Sequence, residues 1–192
     1  MSDRVWYFAY GSNMQPATFA GRRGIAPSRA LAARASGWRL VLDKPPLVPI
    51  GESFANLVAT IGAEVYGVAY EITMEDLAQL DLTEGVLIGN YARVEIAVAP
   101  LACAAPRTGA DAPPAGAGPS RAFTLVSEQR APALRPSDRY MALLVEGAQH
   151  HGLPDDWIAM LRGVPTRAAG AEVADARAII DAGLAAARRR RP

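Results

Sequence analysis

YFAYGSNM, residues 7–14, puts three aromatic side chains on a short apolar run and ends it at Gly11-Ser12-Asn13. The stretch Val5–Tyr10 is β-branched and aromatic, which predicts a strand, and the three residues that stop it are turn formers. Successive N–H groups in such a turn make a concavity that suits an anion or a polarised carbonyl oxygen. Gly11 permits close backbone approach, and Ser12 and Asn13 add side-chain donors. Taken alone, the stretch leaves two readings open: a plain chain reversal and a grip on a ligand.

Working outward, strand signals dominate the first half of the chain. Gly37–Asp43 (GWRLVLD) and Asn56–Ile61 (NLVATI) read as strands, with an irregular, proline-punctuated segment from Pro45-Pro46 to Gly51 between them. Glu64–Ile72 (EVYGVAYEI) alternates well enough to be half buried, with Gly67 as a bulge or a point of close approach. Thr73 and Asp76 have the spacing of a capping box, opening a short helix with Leu77 and Leu80 inward and its end near Thr83-Glu84-Gly85. Tyr91–Val98 returns to period two, with Val94, Ile96 and Val98 on one face and Arg93 and Glu95 on the other.

Residues 104–120 are rich in Ala, Pro and Gly and lack any period, which predicts a long surface loop; Arg121–Ser127 then resumes a strand. From Ser137 on, Tyr140, Met141, Leu144, Val145 and Ala148 lay one apolar stripe on a helix. Asp155 or Asp156 caps a second helix carrying Ile158 and Leu161, and residues 172–191 make a third. Strands first and helices last predict an α+β fold. The expectation is a single domain over residues 1–192, ending in a basic tail at 186–192.

Composition narrows the function. The 192 residues are 51% hydrophobic and 20% charged, with a formal net charge of +1, the profile of an ordinary globular protein. Four of the positive charges are Arg188–Arg191, so the rest of the chain offers no basic face for nucleic acid. No apolar run reaches the roughly 18 residues of a membrane span, and the start, MSDRVWYF, has no secretory pattern. Cys103 is the one cysteine, which rules out an internal disulfide and fits a reducing cytoplasm. The single lysine, Lys44, among 20 basic residues and the abundant alanine read as the codon usage of a G+C-rich bacterial genome.

Glu84 admits a chemical reading beside a plain one. It stands at a helix end beside Gly85, between the apolar stretches 80–82 and 86–88. Desolvation in apolar surroundings raises a carboxyl pKa toward the range a general base needs. A solvated glutamate on a helix end is the alternative. His150-His151 before Gly152 suits a helix C-cap, and no Cys or His partner lies at metal-ligand spacing. Cys103 has no neighbouring base to activate it, and neither a phosphate-binding glycine motif nor a G-x-S-x-G elbow is present.

These pieces occur together in order. YFAYGSNM, EVYGVAYEI, LDLTEGVLIGNYARVEI and PSDRYMALLVEGAQHHGLPDDW resemble the γ-glutamylcyclotransferase family over about Trp6 to Leu161. The resemblance implies a mixed, closed β-barrel flanked by helices, often as a homodimer. It implies a reaction in which the α-amine of a γ-glutamyl compound attacks its own γ-amide carbonyl, giving 5-oxoproline and a free amine, with no metal or organic cofactor. Glu84 matches the family's general acid/base. Tyr7, Phe8, Ala9, Tyr10, Gly11 and Ser12 match the loop that cradles the γ-glutamyl group, with Asn13 completing the turn. Tyr140 and Tyr91 match pocket tyrosines.

Phe123 stands where some relatives carry a tyrosine, removing one hydroxyl. Asn13-Met14 departs from the Tyr-Gly-Ser-Leu turn of the branch acting on glutathione, which favours γ-glutamyl amino acids or γ-glutamyl amines instead. Two alternatives stand beside this reading: a γ-glutamyl-binding module without turnover, and a tailoring enzyme that removes a γ-glutamyl protecting group.

Overall fold

A computed structural model describes residues 3–47, 51–101 and 118–167. Cys103, all but the end of the 104–120 loop, the helix expected over 172–191 and the basic tail at 186–192 lie outside the described residues. Six strands form one sheet: β1 (Arg4–Ala9), β2 (Arg29–Lys44), β3 (Phe54–Thr73), β4 (Ala92–Ala97), β5 (Ala99–Pro100) and β6 (Arg121–Val126). Their order is β4-β6-β1-β3-β2-β5, and β1 with β6 is the parallel pair in an otherwise antiparallel sheet. The sheet is therefore mixed, and it curls into a half-barrel flanked by helices. Its two edges are joined by a single stretch of chain. β4 pairs with β6 at one edge, β5 pairs with β2 at the other, and Val98 alone separates β4 from β5. Edge strands that would otherwise expose unpaired backbone are tied together in this way.

Two strands are longer than their sequence punctuation indicates. The stretches expected over 56–61 and 64–72 are one strand, β3, which bends where its pairing to β2 passes from Ser36↔Glu64 to Trp38↔Ala59. Gly37 and Gly62, both at positive φ, take up that irregularity. Helix α1 (Met74–Glu84) opens on the full capping box: Asp76 N–H donates to the Thr73 hydroxyl, and Thr73 N–H donates to the Asp76 carboxylate. It buries Leu77 and Leu80 completely. Helix α2 (Asp138–His150) starts on Ser137 and buries Tyr140, Met141, Leu144 and Ala148. Helix α3 (Asp155–Arg162) is preceded by Pro154, with Asp155 and Asp156 inside its first turn rather than at the cap, where they still favour the positive helix end.

The core runs under the sheet through Phe8, Phe19, Ile72, Leu144 and Leu161. Gly67 is a point of close approach, not a bulge. It pairs regularly with Ala33, and a Cβ there would lie 2.2 Å from the carbonyl oxygen of Ala9 and 2.8 Å from the Phe8 ring. Among the described residues no helix is long and apolar enough to cross a membrane. Gly67→Ala forces β1 and β3 apart at the strand that leads into the glycine turn. It is expected to cost about 1–3 kcal/mol, read as a lowered midpoint in urea unfolding with an unchanged slope.

Candidate active site

The turn after β1 is a single 3₁₀ turn, Ser12–Met14. Met14 N–H bonds to the Gly11 carbonyl and Gln15 N–H to that of Ser12. The amides of Ser12 and Asn13, at its start, therefore have no acceptor inside the turn. Three neighbours hold it in place. A Cβ on Gly147 of α2 would lie 2.7 Å from the Met14 backbone, so α2 packs directly on the chain there. Behind it, the rings of Tyr7, Phe19 and Tyr70 stack, with Phe19–Tyr70 centroids 4.2 Å apart. The Tyr70 hydroxyl donates to the Met14 carbonyl at 3.1 Å.

Glu84 is the last residue of α1, which Gly85 caps in the left-handed region. Its carboxylate meets the turn directly. Asn13 Nδ2 donates to Glu84 Oε1 at 3.0 Å and to the Tyr7 hydroxyl at 3.1 Å. Arg23 Nη2 lies 2.6 Å from the same Oε1, and both side chains of this ion pair are mostly buried. The expectation of apolar surroundings for Glu84 is therefore corrected. Of its apolar neighbours in sequence, Leu82, Leu87 and Ile88 are 57%, 81% and 71% exposed, while Leu80 and Val86 pack into or against the core. What surrounds the carboxylate is polar and comes from distant parts of the chain.

A cavity of about 210 Å³ opens between the turn and Glu84. Tyr7, Tyr10, Gly11, Ser12, Asn13, Tyr91 and Tyr140 all line it. Phe8 and Ala9 do not. Both are fully buried in the core, Phe8 with its ring packed against Gly67. The tyrosines form a fixed wall. Tyr10 donates to the Leu125 carbonyl, Tyr91 to the Ala55 carbonyl at 3.3 Å, and the Tyr140 oxygen accepts from Ala55 N–H at 3.0 Å. Burial first, and the charge of Glu84 among the further causes, push the phenols of Tyr7, Tyr10 and Tyr91 well above their ordinary range. They therefore act as neutral hydroxyls. Phe123 lies outside this cavity, in a separate depression with Trp6 and with the Arg93 guanidinium over its ring. The hydroxyl missing there is not missing from the cavity.

Several cavity residues carry no functional signal in the sequence, among them Arg23, Lys44, Glu52 and Asn90. Arg23 follows a π-helical segment, Ala17–Arg22, and reaches Glu84, Asn13 and the Thr83 carbonyl. Lys44, at the end of β2, is only 1% exposed. Its ammonium donates to the Pro45 carbonyl and to Asn90 Oδ1, and sits 5.0 Å from the centre of the Tyr91 ring. Burial lowers the Lys44 pKa to about 8, against the opposing pull of Glu84. Asn90 links the two, since its Nδ2 donates to the Glu84 carbonyl at 2.8 Å. Glu52, fully buried, also lines the cavity. Lys44 was visible as the chain's one lysine; Arg23 and Glu52 carry no local signature.

A family model described as γ-glutamyl cyclotransferase, AIG2-like, matches residues 7–110, and one described as AIG2-like family matches residues 64–161. The γ-glutamyl cyclotransferase aclK of Aspergillus oryzae is 34% identical over 172 residues, covering 82% of this chain; the chain spans 60% of that protein's length. The γ-glutamylcyclotransferase of Bos taurus is 27% identical over 167 residues, 82% of this chain and 77% of its own. A solved structure titled γ-glutamyl cyclotransferase superposes with a TM-score of 0.68 at 24% identity, covering 94% of this chain and all of its own. That likeness establishes the fold.

Beneath the turn, His151 sits 3.0 Å from the Tyr70 hydroxyl. Burial, and after it the neighbouring His150, lower its pKa from 6.5 to about 4. Between those values the unfolded chain binds a proton that the native state refuses, so stability falls as pH drops from about 6.5 toward 4 and levels off below. Thermal melts across that range are expected to show a steeper loss for the wild type than for His151→Gln.

Proposed function

The chain belongs to the γ-glutamyl cyclotransferase, AIG2-like family, and on that premise we propose that it cyclises a γ-glutamyl amino acid or γ-glutamyl amine to 5-oxoproline, releasing the free amine. The observation that carries this is the hydrogen bond from Asn13, in the glycine turn, to Glu84 at the end of α1. It puts a carboxylate and a set of backbone donors on one small cavity.

The chemistry follows from the substrate. An α-amine with a pKa near 7.7–8.0 is mostly an ammonium at neutral pH and cannot attack. Glu84 takes one proton from it. The freed nitrogen attacks the γ-carbonyl carbon, and Glu84 gives its proton to the departing nitrogen as the old carbon–nitrogen bond breaks. The regenerated carboxylate then takes the second proton from the ring nitrogen, leaving the lactam, and passes it to the released amine, which departs as an ammonium. Asn13 and Arg23 both hold Oε1, which leaves Oε2 to face the ammonium. The amides of Ser12 and Asn13 receive the carbonyl oxygen as charge develops on it, a contribution of about 2.7–4 kcal/mol per donor in comparable sites. Ring closure is intramolecular, so the work of the cavity is to fold the substrate into an attack geometry. The tyrosine wall and the stacked rings behind the turn hold that shape.

Lys44 completes the binding of the γ-glutamyl head. The α-ammonium and α-carboxylate sit on one carbon, so their partners must be neighbours; Asn90 joins the Lys44 ammonium to the backbone carbonyl of Glu84, whose charge also acts on Lys44. We assign the α-carboxylate to Lys44. A cytoplasmic homodimer belongs to the same proposal, on the strength of the family resemblance and the single cysteine.

Glu84→Gln is expected to lower 5-oxoproline formation from γ-glutamyl-alanine by about 10²–10⁴-fold, while calorimetry still detects substrate. An active Glu84→Gln, or a wild type inert across a panel of γ-glutamyl amines, defeats the proposal. The second outcome combined with tight binding favours a binding module. Lys44→Met is expected to raise KM by about tenfold or more, with a smaller change in kcat, the pattern of a lost binding contact.

A further inference from the structure

Two carboxylates line the cavity, and they differ in one respect. Glu84 is held by a guanidinium and an amide. Glu52 is fully buried, and neither of its carboxylate oxygens has a hydrogen-bond partner among the described residues. Buried anions are paired in nearly all folds, and one left without donors calls for a group that completes it. Glu52 lies on the connection from β2 to β3, and Pro46, Leu47 and Phe54, from the same stretch of chain, add apolar lining to the cavity.

Given the cyclotransferase reading, the charges of the γ-glutamyl head already have partners: the α-ammonium at Glu84, the α-carboxylate at Lys44, the carbonyl oxygen at the turn. The part of the substrate left to occupy the remaining lining is the departing amine. We propose that Glu52 binds a second, distal ammonium carried by that amine, so that the preferred substrates are γ-glutamyl conjugates of short diamines. The alkyl chain between the two nitrogens lies against the apolar lining, and the terminal ammonium supplies the N–H donors that both Glu52 oxygens lack. Glu52 is thus a specificity residue for the leaving group, distinct from the acid/base at Glu84.

The test compares three substrates that differ only at the far end of the departing amine: the γ-glutamyl conjugates of 1,4-diaminobutane, 4-aminobutanol and butylamine. 5-Oxoproline release gives kcat/KM for each with wild type and Glu52→Gln. The wild type is expected to favour the diamine conjugate over both neutral ones by at least about tenfold, the range of a charge-assisted hydrogen bond. Glu52→Gln is expected to bring that ratio close to one. Because the readout is a ratio within one protein sample, a partial loss of folded enzyme cancels. Equal rates on all three substrates in the wild type, or an unchanged preference in Glu52→Gln, overturns the assignment. Should Glu52→Gln not fold, the wild-type ratio alone decides. If no conjugate yields 5-oxoproline, the cyclotransferase reading has failed, and calorimetry with the same compounds still judges Glu52. Tighter binding of the diamine conjugate that Glu52→Gln abolishes supports its cation site, and indifference to the terminal ammonium removes it.

Discussion

The primary amide of Asn13 is the contact on which the site depends. Its nitrogen donates to the Tyr7 hydroxyl and to Glu84 Oε1, while its oxygen faces Arg23 Nε at 3.4 Å. Three separate parts of the chain meet there: the turn after β1, the end of α1, and the segment that follows the π-helix. An aspartate of the same shape has no N–H to give and brings a second negative charge against Glu84. The position therefore needs an amide, and it needs the amide to be buried, as it is. Everything on the far side of the turn serves to hold that side chain still: the stacked rings, Gly147 of α2 in contact with the Met14 backbone, and the Tyr70 hydroxyl on the Met14 carbonyl.

The same contact sets the electrostatics of the cavity. A carboxylate in a mostly buried place is costly unless it is paired and hydrogen-bonded, and Arg23 and Asn13 meet both conditions. The aromatic hydroxyls around it are held in their neutral form, so they add donors and acceptors without adding charge. Asn90 and Ser127 extend the polar framework away from the cavity: Ser127 donates to the Asn90 carbonyl at 2.8 Å, and Asn56 exchanges two hydrogen bonds with the Ser127 backbone. Each member of that chain is buried and satisfied, which is the condition under which a polar network stiffens a site.

Much of the fold was legible because its signals are local. The capping box at Thr73 and Asp76, the apolar stripe through Tyr140 and Leu144, and the strand ending at Gly11 all depend on residues a few positions apart. The errors arise where distant chain decides. Arg29–Ser36 has no β-branched residue, yet it is strand because β3 lies beside it. Gly62 reads as a strand end, yet at positive φ it lets β3 bend and continue. In the site, Glu84 was legible from its place before Gly85, but most of its apolar sequence neighbours are exposed and its partners come from residues 13 and 23. Phe8 and Ala9 belong to the same contiguous motif as the lining residues, but both are fully buried in the core, a packing that the motif itself does not encode. Glu52 has no neighbour in sequence that marks it, since what distinguishes it is the lack of a partner in space.

Lys44 leaves a mark on the whole molecule. It is the one lysine in the chain, so every other basic side chain apart from the two histidines is a guanidinium, and those keep their charge throughout the practical alkaline range. The outside of the protein consequently offers no side-chain amine to acylating or carbonyl reagents. The one such nucleophile stands inside the cavity, where burial has already loosened its proton. Reagents that decorate the surface of most proteins would here have to enter the cavity to find a lysine, and whatever fills that space would shield it from them.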